Sequence, residues 1–86
     1  MSLDKHRKGI DAIDKKLVEL LNERTEHALA IGAIKLKAGE EIYAPHRERL
    51  IFDRLAKLNK GPVPDEAMQA IYREIMSCSL SLEKSL

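Results

Sequence analysis

The feature that most limits the fold of this chain is one long amphipathic segment near its start. From about Asp4 to Lys37, strong helix formers follow one another without a proline, and apolar side chains return at helical spacing. Ala38-Gly39 then supplies a typical helix stop. The segment therefore predicts a single helix of about 34 residues, roughly 50 Å long at about 1.5 Å per residue.

Two shorter helices follow, and no segment favours a strand. Pro45 suits the first turn of a second helix that runs to about Asn59, and Pro64-Asp65-Glu66 opens a third. We predict one all-α domain of three helices over residues 1–86. The second helix, roughly 22 Å long, is too short to cover the first even with the third alongside, so a single chain would leave apolar surface in water. The length mismatch predicts an intertwined helical homodimer.

Composition disfavours several classes of protein. Lys and Arg number 15 and Asp and Glu 14, so the net charge of +1 offers no broad basic face to a nucleic acid. No apolar run approaches the length of a membrane span. The single Cys78 excludes an internal disulfide and indicates a cytoplasmic protein. A metal site at His6, His27 or His46 is disfavoured, and the i, i+4 pair Glu23 and His27 is interpreted as a surface contact.

Two cations lie on the apolar stripe of the first helix. At about 100° per residue, Arg24 and Lys35 point within roughly 20° of each other, with Ala28 and Ile31 on the same line. A cation that faces a core is costly unless an anion meets it there. Alternatively, each cation rests its aliphatic stem on the stripe and extends its charge into water. On the first interpretation, the missing anion comes from elsewhere in the fold or from a ligand.

Polar side chains also interrupt the apolar faces of the other two helices. Arg47 and Glu48 precede apolar residues at the start of the second helix, and Ser79 and Glu83 are i, i+4 neighbours on the third. Each of them has an alternative interpretation as a solvated residue at a helix end or as a small residue at a helix contact. Their coincidence across three helices favours a cationic pocket for a small ligand with several carboxylates.

The order of these residues resembles the all-helical type II chorismate mutases. Five fragments that together span nearly the whole chain carry the resemblance: Arg7-x-x-Ile10-Asp11-x-Ile13-Asp14, Leu20-Leu21-Asn22-Glu23-Arg24, Ile31-Gly32-x-x-Lys35, Tyr43-Ala44-Pro45-x-Arg47-Glu48-Arg49 and Ile71-Tyr72-Arg73-Glu74-Ile75-Met76-Ser77-x-Ser79-Leu80-x-Leu82-Glu83. The resemblance implies conversion of chorismate to prephenate, a branch point of the shikimate pathway toward phenylalanine and tyrosine. This intramolecular Claisen rearrangement needs no metal and no cofactor.

The resemblance also implies roles for single residues. Lys35 and Glu83 would act at the ether oxygen of chorismate, where negative charge develops as the C–O bond breaks. Arg24 and the partner's Arg7 would bind the substrate's carboxylates. Within one chain Arg7 lies about 100° away from the line of Arg24 and Lys35, which is compatible with its donation to the site of the other subunit.

The remaining implied contacts surround the ring and its carboxylates. Glu48 would accept from the ring hydroxyl, Arg47 would hold the same side of the pocket, and Ser79 would bind a carboxylate. The apolar walls that hold the enolpyruvyl arm over the ring would be Ile31, Met76 and Leu80. A pocket of this kind accelerates the reaction by fixing a chair-like geometry and by stabilising the developing charge.

Two positions depart from the family pattern. Ala44 stands where many members have Asp before the proline, which removes an N-cap side chain at a cost of about 1 kcal/mol. Glu83 stands where some members have Gln, and a carboxyl group donates a hydrogen bond only when it is protonated. We therefore predict that activity falls as pH rises, although the nearby Lys35 favours the ionised form.

Three alternatives remain open at the level of sequence. The chain is an isochorismate pyruvate lyase on the same fold, or it is a non-catalytic dimerisation or regulatory module, or it is a mutase as described. A mutase of this type also occurs as the N-terminal part of larger enzymes, including those fused to prephenate dehydratase. Retention of the charged positions from Arg7 to Glu83 argues against the non-catalytic module.

Overall fold

The computed structural model describes residues 2–86, so Met1 of the predicted domain lies outside the described residues. Three helices account for most of this range: α1 (Leu3–Ala38), α2 (Pro45–Leu58) and α3 (Asp65–Lys84). No strand is present between residues 2 and 86. The predicted all-α, three-helix architecture is confirmed. Each predicted helix bound lies within one residue of the observed one.

Both ends of α1 are capped by residues that suit those positions. The side chain of Ser2 accepts a hydrogen bond from the backbone N–H of Lys5 at 3.2 Å. At the other end Gly39 adopts a left-handed conformation with φ of 70°, which glycine tolerates best. This turn lets the backbone N–H of Glu40 donate to the carbonyl of Lys35 at 2.8 Å, as in a Schellman motif. The predicted helix stop is therefore present.

The two shorter helices are joined by a connection that one asparagine organises. Ala44 is the N-cap of α2 and provides no side-chain cap, and Pro45 occupies the first turn. At the other end of α2, the side-chain amide of Asn59 donates to the carbonyl of Val63 at 2.8 Å and to the carboxylate of Asp65 at 2.7 Å. These bonds link the end of α2 to the first turn of α3.

Helix α3 packs against both other helices and covers only part of α1. Arg24 contacts Ser79 and Gly32 approaches Glu83, so α3 runs parallel to the C-terminal half of α1. Among the described residues, those classed as buried are Gly32, Met76 and Ser79. Every residue from 2 to 23 is exposed in the single chain. The N-terminal half of α1 therefore projects beyond the rest of a protomer that measures 56 × 23 × 15 Å.

The projecting part of α1 carries much of the apolar surface of the chain. Ile10 and Ile13 are each 57 % exposed and Leu17 is 49 % exposed. Leu50 and Leu58, which the sequence pattern places inward on α2, also remain exposed in one protomer. No helix in the described part of the chain is both long enough and apolar enough to cross a membrane.

Candidate active site

A cavity of about 250 Å³ lies where the three helices meet. Its lining includes residues of all three helices and of the α1–α2 loop. In chain order these are Arg24, His27, Ala28, Ile31, Lys35, Ile42, Ala44, Arg47, Glu48, Ile51, Met76, Ser79, Leu80 and Glu83. Polar groups from sequence-distant segments therefore converge on a half-open apolar hollow, which is the usual form of a small-molecule site.

Helix α1 presents its cations to this cavity in the predicted line. Arg24, Ala28, Ile31 and Lys35 all line it, in agreement with their common helical phase. Lys35 is partly buried, and its Nζ donates to the carbonyl of Ile42 at 3.3 Å. This bond ties the α1–α2 loop to the wall of the cavity and holds the ammonium group beside it.

Two partners on α3 hold the Arg24 guanidinium in place. Its Nη1 donates to the hydroxyl oxygen of Ser79 at 3.4 Å. Its Cζ also lies 5.9 Å from the centre of the Tyr72 ring, within the range of a cation–π contact. Since Ser79 is 6 % exposed, this end of the cavity is well enclosed. The arrangement leaves further guanidinium N–H groups free to bind an oxyanion.

The start of α2 supplies one wall with a pair of opposite charges. Pro45 sets the first turn of the helix, and Arg47 and Glu48 follow within that turn. Ile51 is one turn further along and lines the same cavity. Ala44 also lines the cavity, and its side chain provides no cap for the helix.

Helix α3 supplies the opposite wall at a regular spacing. Met76, Ser79, Leu80 and Glu83 follow the i, i+3, i+4, i+7 pattern of one helix face. Met76 is buried, with 7 % exposure, and closes the floor of the apolar part. Glu83 lies on the final turns of the helix, opposite the segment of α1 around Gly32.

The charge of the cavity is positive overall. Arg24, Lys35 and Arg47 contribute three cations, against the two carboxyl groups of Glu48 and Glu83. A cluster of this sign inside a partly enclosed apolar hollow is costly to leave without a counter-ion. The site is therefore suited to a small ligand with more than one carboxylate, which accepts charge-assisted hydrogen bonds from arginine.

The structure brings six of the seven predicted polar residues to this cavity and leaves one outside it. Arg24, Lys35, Arg47, Glu48, Ser79 and Glu83 all line the cavity. Arg7 does not line it, because it is about 25 Å from Arg24 along the helix axis, at about 1.5 Å for each intervening residue. The predicted apolar walls Ile31, Met76 and Leu80 also line the cavity.

Some lining residues were not predicted from the sequence. His27 lines the cavity, whereas the sequence interpretation treated it as part of a surface contact. The direction of His27 about the helix axis lies within about 40° of that of Ile31, and this phase indicates that His27 faces the cavity. Ile42 belongs to a loop without periodicity, so only the fold reveals its place. The described residues contain no group of three or more potential metal ligands close enough to hold an ion.

Comparison with known proteins defines the class of this three-helix protein. The family model for chorismate mutase type II matches residues 6–84. The solved structure of chorismate mutase (form II) from Thermus thermophilus superposes with a TM-score of 0.93 at 33 % sequence identity, over 95 % of this chain and 93 % of that one. The chain belongs to the type II chorismate mutase family.

Two further relatives are informative about extent and ligand. A bifunctional chorismate mutase/prephenate dehydratase from Aquifex aeolicus is 51 % identical over 84 residues, which are 93 % of this chain and 23 % of that protein. The chain spans less than a quarter of the length of the bifunctional relatives that it matches. The chorismate mutase from Helicobacter pylori, solved in complex with prephenate, has a TM-score of 0.88 at 34 % identity and covers 96 % of this chain and 90 % of that one.

Proposed function

We propose that this chain converts chorismate to prephenate by intramolecular Claisen rearrangement. The observation that carries the proposal is the convergence of Arg24, Lys35 and Arg47 with Glu48 and Glu83 around one apolar cavity. Chorismate is a dicarboxylate with a ring hydroxyl and an ether bridge. Its carboxylates match the cations, and its apolar ring and enolpyruvyl arm match the aliphatic walls.

The proposed catalysis has a conformational and an electrostatic part. In the rearrangement the ether C–O bond breaks while a C–C bond forms, and the ring-side oxygen of the enolpyruvyl group becomes a carbonyl. No proton is transferred and no group leaves, so the protein has only to hold the chair-like conformer and stabilise charge. We assign the first task to the apolar walls, with Ile31 and Met76 on opposite sides. The second task belongs to Lys35 and Glu83, which approach the ether oxygen from α1 and α3.

The remaining residues bind the substrate. Arg24, oriented by Ser79 and Tyr72, is assigned to a carboxylate, and the Ser79 hydroxyl turns to the same group when substrate is bound. Glu48 is assigned to the ring hydroxyl, which donates to it, while Arg47 holds that side of the pocket.

The proposed assembly is a homodimer in which the long helices pair. The protomer exposes 7112 Å² of surface, about 2000 Å² more than a folded monomer of this mass ordinarily does. Its radius of gyration is 15.9 Å, whereas about 12 Å is expected for a compact domain of this length. Pairing the exposed apolar surface of α1 with a second copy removes this excess. It also brings the partner's Arg7 toward the cavity, which Arg7 of the same chain is too distant to reach.

Mixed dimers test the proposed donation of Arg7. Arg7→Ala and Lys35→Ala chains are each expected to be nearly inactive as homodimers. Unfolding and refolding an equal mixture makes about half of the dimers heterodimers, each with one intact site, so about a quarter of the wild-type turnover returns. If Arg7 serves the cavity of its own chain, no activity returns, and the proposed assembly is wrong.

A direct assay tests the reaction itself. We expect purified protein to consume chorismate and form prephenate, and its mass in solution to be that of two chains. Isochorismate supplied separately should not give salicylate and pyruvate, which are the products of the lyase alternative. Release of salicylate, or the absence of any turnover by folded dimer, overturns the proposal. We place the enzyme in the cytoplasm, where the exposed thiol of Cys78 stays reduced.

A further inference from the structure

Gly32 occupies the point of closest approach between α1 and the last turns of α3. It is one of the few buried residues in the described chain. A Cβ atom placed on it would lie 2.9 Å from Cδ1 of Leu86, 3.0 Å from Cγ of Glu83 and 3.2 Å from Cβ of Glu83. These distances are shorter than an ordinary carbon–carbon contact of about 3.5–4.0 Å. A side chain larger than hydrogen therefore fits only if Leu86 and Glu83 shift.

The backbone of α1 gives no local reason for a glycine at this position. Gly32 lies within a regular helix, where glycine is among the poorest formers, and its φ is not in the left-handed region that favours glycine. A Cβ atom placed on Gly9, on the same helix, would have no neighbouring atom within 4 Å. The atoms that leave no room for a side chain at Gly32 belong to Glu83 on α3 and to Leu86 just beyond the end of that helix.

The two neighbours differ in how easily they yield. Cδ1 of Leu86 is the end of a flexible side chain, and Leu86 is 54 % exposed, so it can turn away. Cβ and Cγ of Glu83 are close to the backbone and follow the position of α3. Relieving their contact with a new methyl group requires α3 or the Glu83 side chain to move by about 0.5 Å. Glu83 lines the cavity, so this movement displaces its carboxyl group there.

We propose that Gly32 is a positioning residue that sets the distance of the Glu83 carboxyl group from the reacting ether. It touches no substrate in this scheme and acts only through Glu83. The inference rests on the proposed function, because it needs Glu83 to act in the rearrangement. Since a misplacement of about 1 Å can cost about 100-fold in rate, a shift of half that size predicts a loss of about tenfold.

The test compares steady-state kinetics of Gly32→Ala with those of Gly9→Ala in the dimeric protein. We expect kcat to fall about tenfold in Gly32→Ala with KM changed less than threefold, because the new contact falls on Glu83 and not on Arg24, which we assign to the carboxylate. Gly9→Ala should keep the wild-type values. Unchanged kcat in folded Gly32→Ala overturns the inference.

A double-mutant cycle separates positioning from general damage. In a Glu83→Ala background, Gly32→Ala should lower kcat by less than about twofold, because no carboxyl group remains to be displaced. An equal tenfold loss in that background means that the methyl group distorts the site by another route, and the inference is wrong. If Glu83→Ala alone keeps wild-type kcat, the proposed role of Glu83 fails, and the role of Gly32 fails with it.

A second variant guards against failure to fold. Leu86→Ala removes the 2.9 Å contact and should keep wild-type kcat by itself. Combined with Gly32→Ala it leaves the contact with Glu83 in place, so the same tenfold loss is expected. Recovery of wild-type kcat in this double variant assigns the effect to Leu86 instead and contradicts the inference. If neither variant folds, Gly32 is required by the fold and not for the placement of Glu83.

Discussion

Replacing Lys35 by alanine should abolish most of the catalysis while leaving the fold intact. Lys35 lines the cavity from α1 and is partly buried, and it is the residue that we assign to the ether oxygen. Its one intramolecular side-chain bond goes to the carbonyl of Ile42 at 3.3 Å, so the fold depends on it little. Loss of that bond costs about 1 kcal/mol of unfolding free energy or less.

The expected loss of rate follows from the charge that develops in the transition state. A full negative charge about 3 Å from an ammonium group interacts by about 5.5 kcal/mol at an effective dielectric constant of about 20, which suits a half-open site. If about half a charge has developed, Lys35 lowers the barrier by about 3 kcal/mol. This corresponds to a kcat that falls about 100-fold in Lys35→Ala.

The assay is chorismate consumption under saturating substrate, with urea unfolding measured on the same preparations. Lys37→Ala is the matched control, since Lys37 is an exposed lysine in the same last turn of α1 and does not line the cavity. It should keep wild-type turnover. A folded Lys35→Ala dimer with undiminished kcat would refute the electrostatic argument.

Further predictions concern the two positions that depart from the family pattern, the carboxylate-binding Arg24 and the proposed dimer. Glu83→Gln should match or exceed the wild-type kcat if a hydrogen-bond donor is needed at the ether oxygen, because a side-chain amide donates there; a kcat lowered more than tenfold would show that the idea is wrong. Ala44→Asp should raise the unfolding free energy by about 1 kcal/mol through the missing N-cap, measured in urea, whereas Ala56→Asp in the last turn of α2 should lower it; no gain at position 44 would contradict the capping argument. Arg24→Lys should raise KM about tenfold with a smaller change in kcat, because lysine lacks the planar fork that binds a carboxylate and stacks on Tyr72; an unchanged KM would remove Arg24 from carboxylate binding. The midpoint of thermal unfolding should rise with protein concentration if the exposed stripe of α1 pairs with a second copy, and a midpoint independent of concentration would argue against the dimer.

The proposed dimer would explain both the extended protomer and the distance of Arg7 from the cavity. A chain that folds as a compact monomer buries its long helix, whereas here every residue from 2 to 23 is exposed. The same stretch holds Arg7, which cannot reach its own cavity. Pairing α1 with a second copy would cover the apolar stripe, and it would also bring the partner's Arg7 to the site. In this proposal, assembly and catalysis depend on one surface.

Much of the site was readable from helical phase alone. The spacing of Arg24, Ala28, Ile31 and Lys35 places them on one line because an α-helix has a constant angle per residue, and all four line the cavity. The same reasoning placed Ser79 and Glu83 on one face of α3, whereas Met76 and Leu80 were predicted from the resemblance to a known family. The resemblance to a known family then indicated which faces meet.

Other features were beyond sequence reasoning for a physical reason. Phase gives the direction of a side chain about its own helix axis, but not the distance between two axes. His27 is exposed, as its interpretation as a surface residue requires, but it also lines the cavity, because its direction lies at the margin of the stripe. The apolar spacing of α2 predicts that Leu50 and Leu58 face inward, whereas in a single protomer they remain 46 % and 60 % exposed.

By itself, the sequence determined three helices, both ends of the first two, the start of the third and the line of cations on the first. Proline at position 45, the left-handed Gly39 and the apolar spacing are local signals, and local signals act within a few residues. Only the tertiary structure decided that Lys35 bonds to Ile42 and that Gly32 allows Glu83 to approach α1. Those contacts depend on how closely whole helices pack, which is a property of the three helices together.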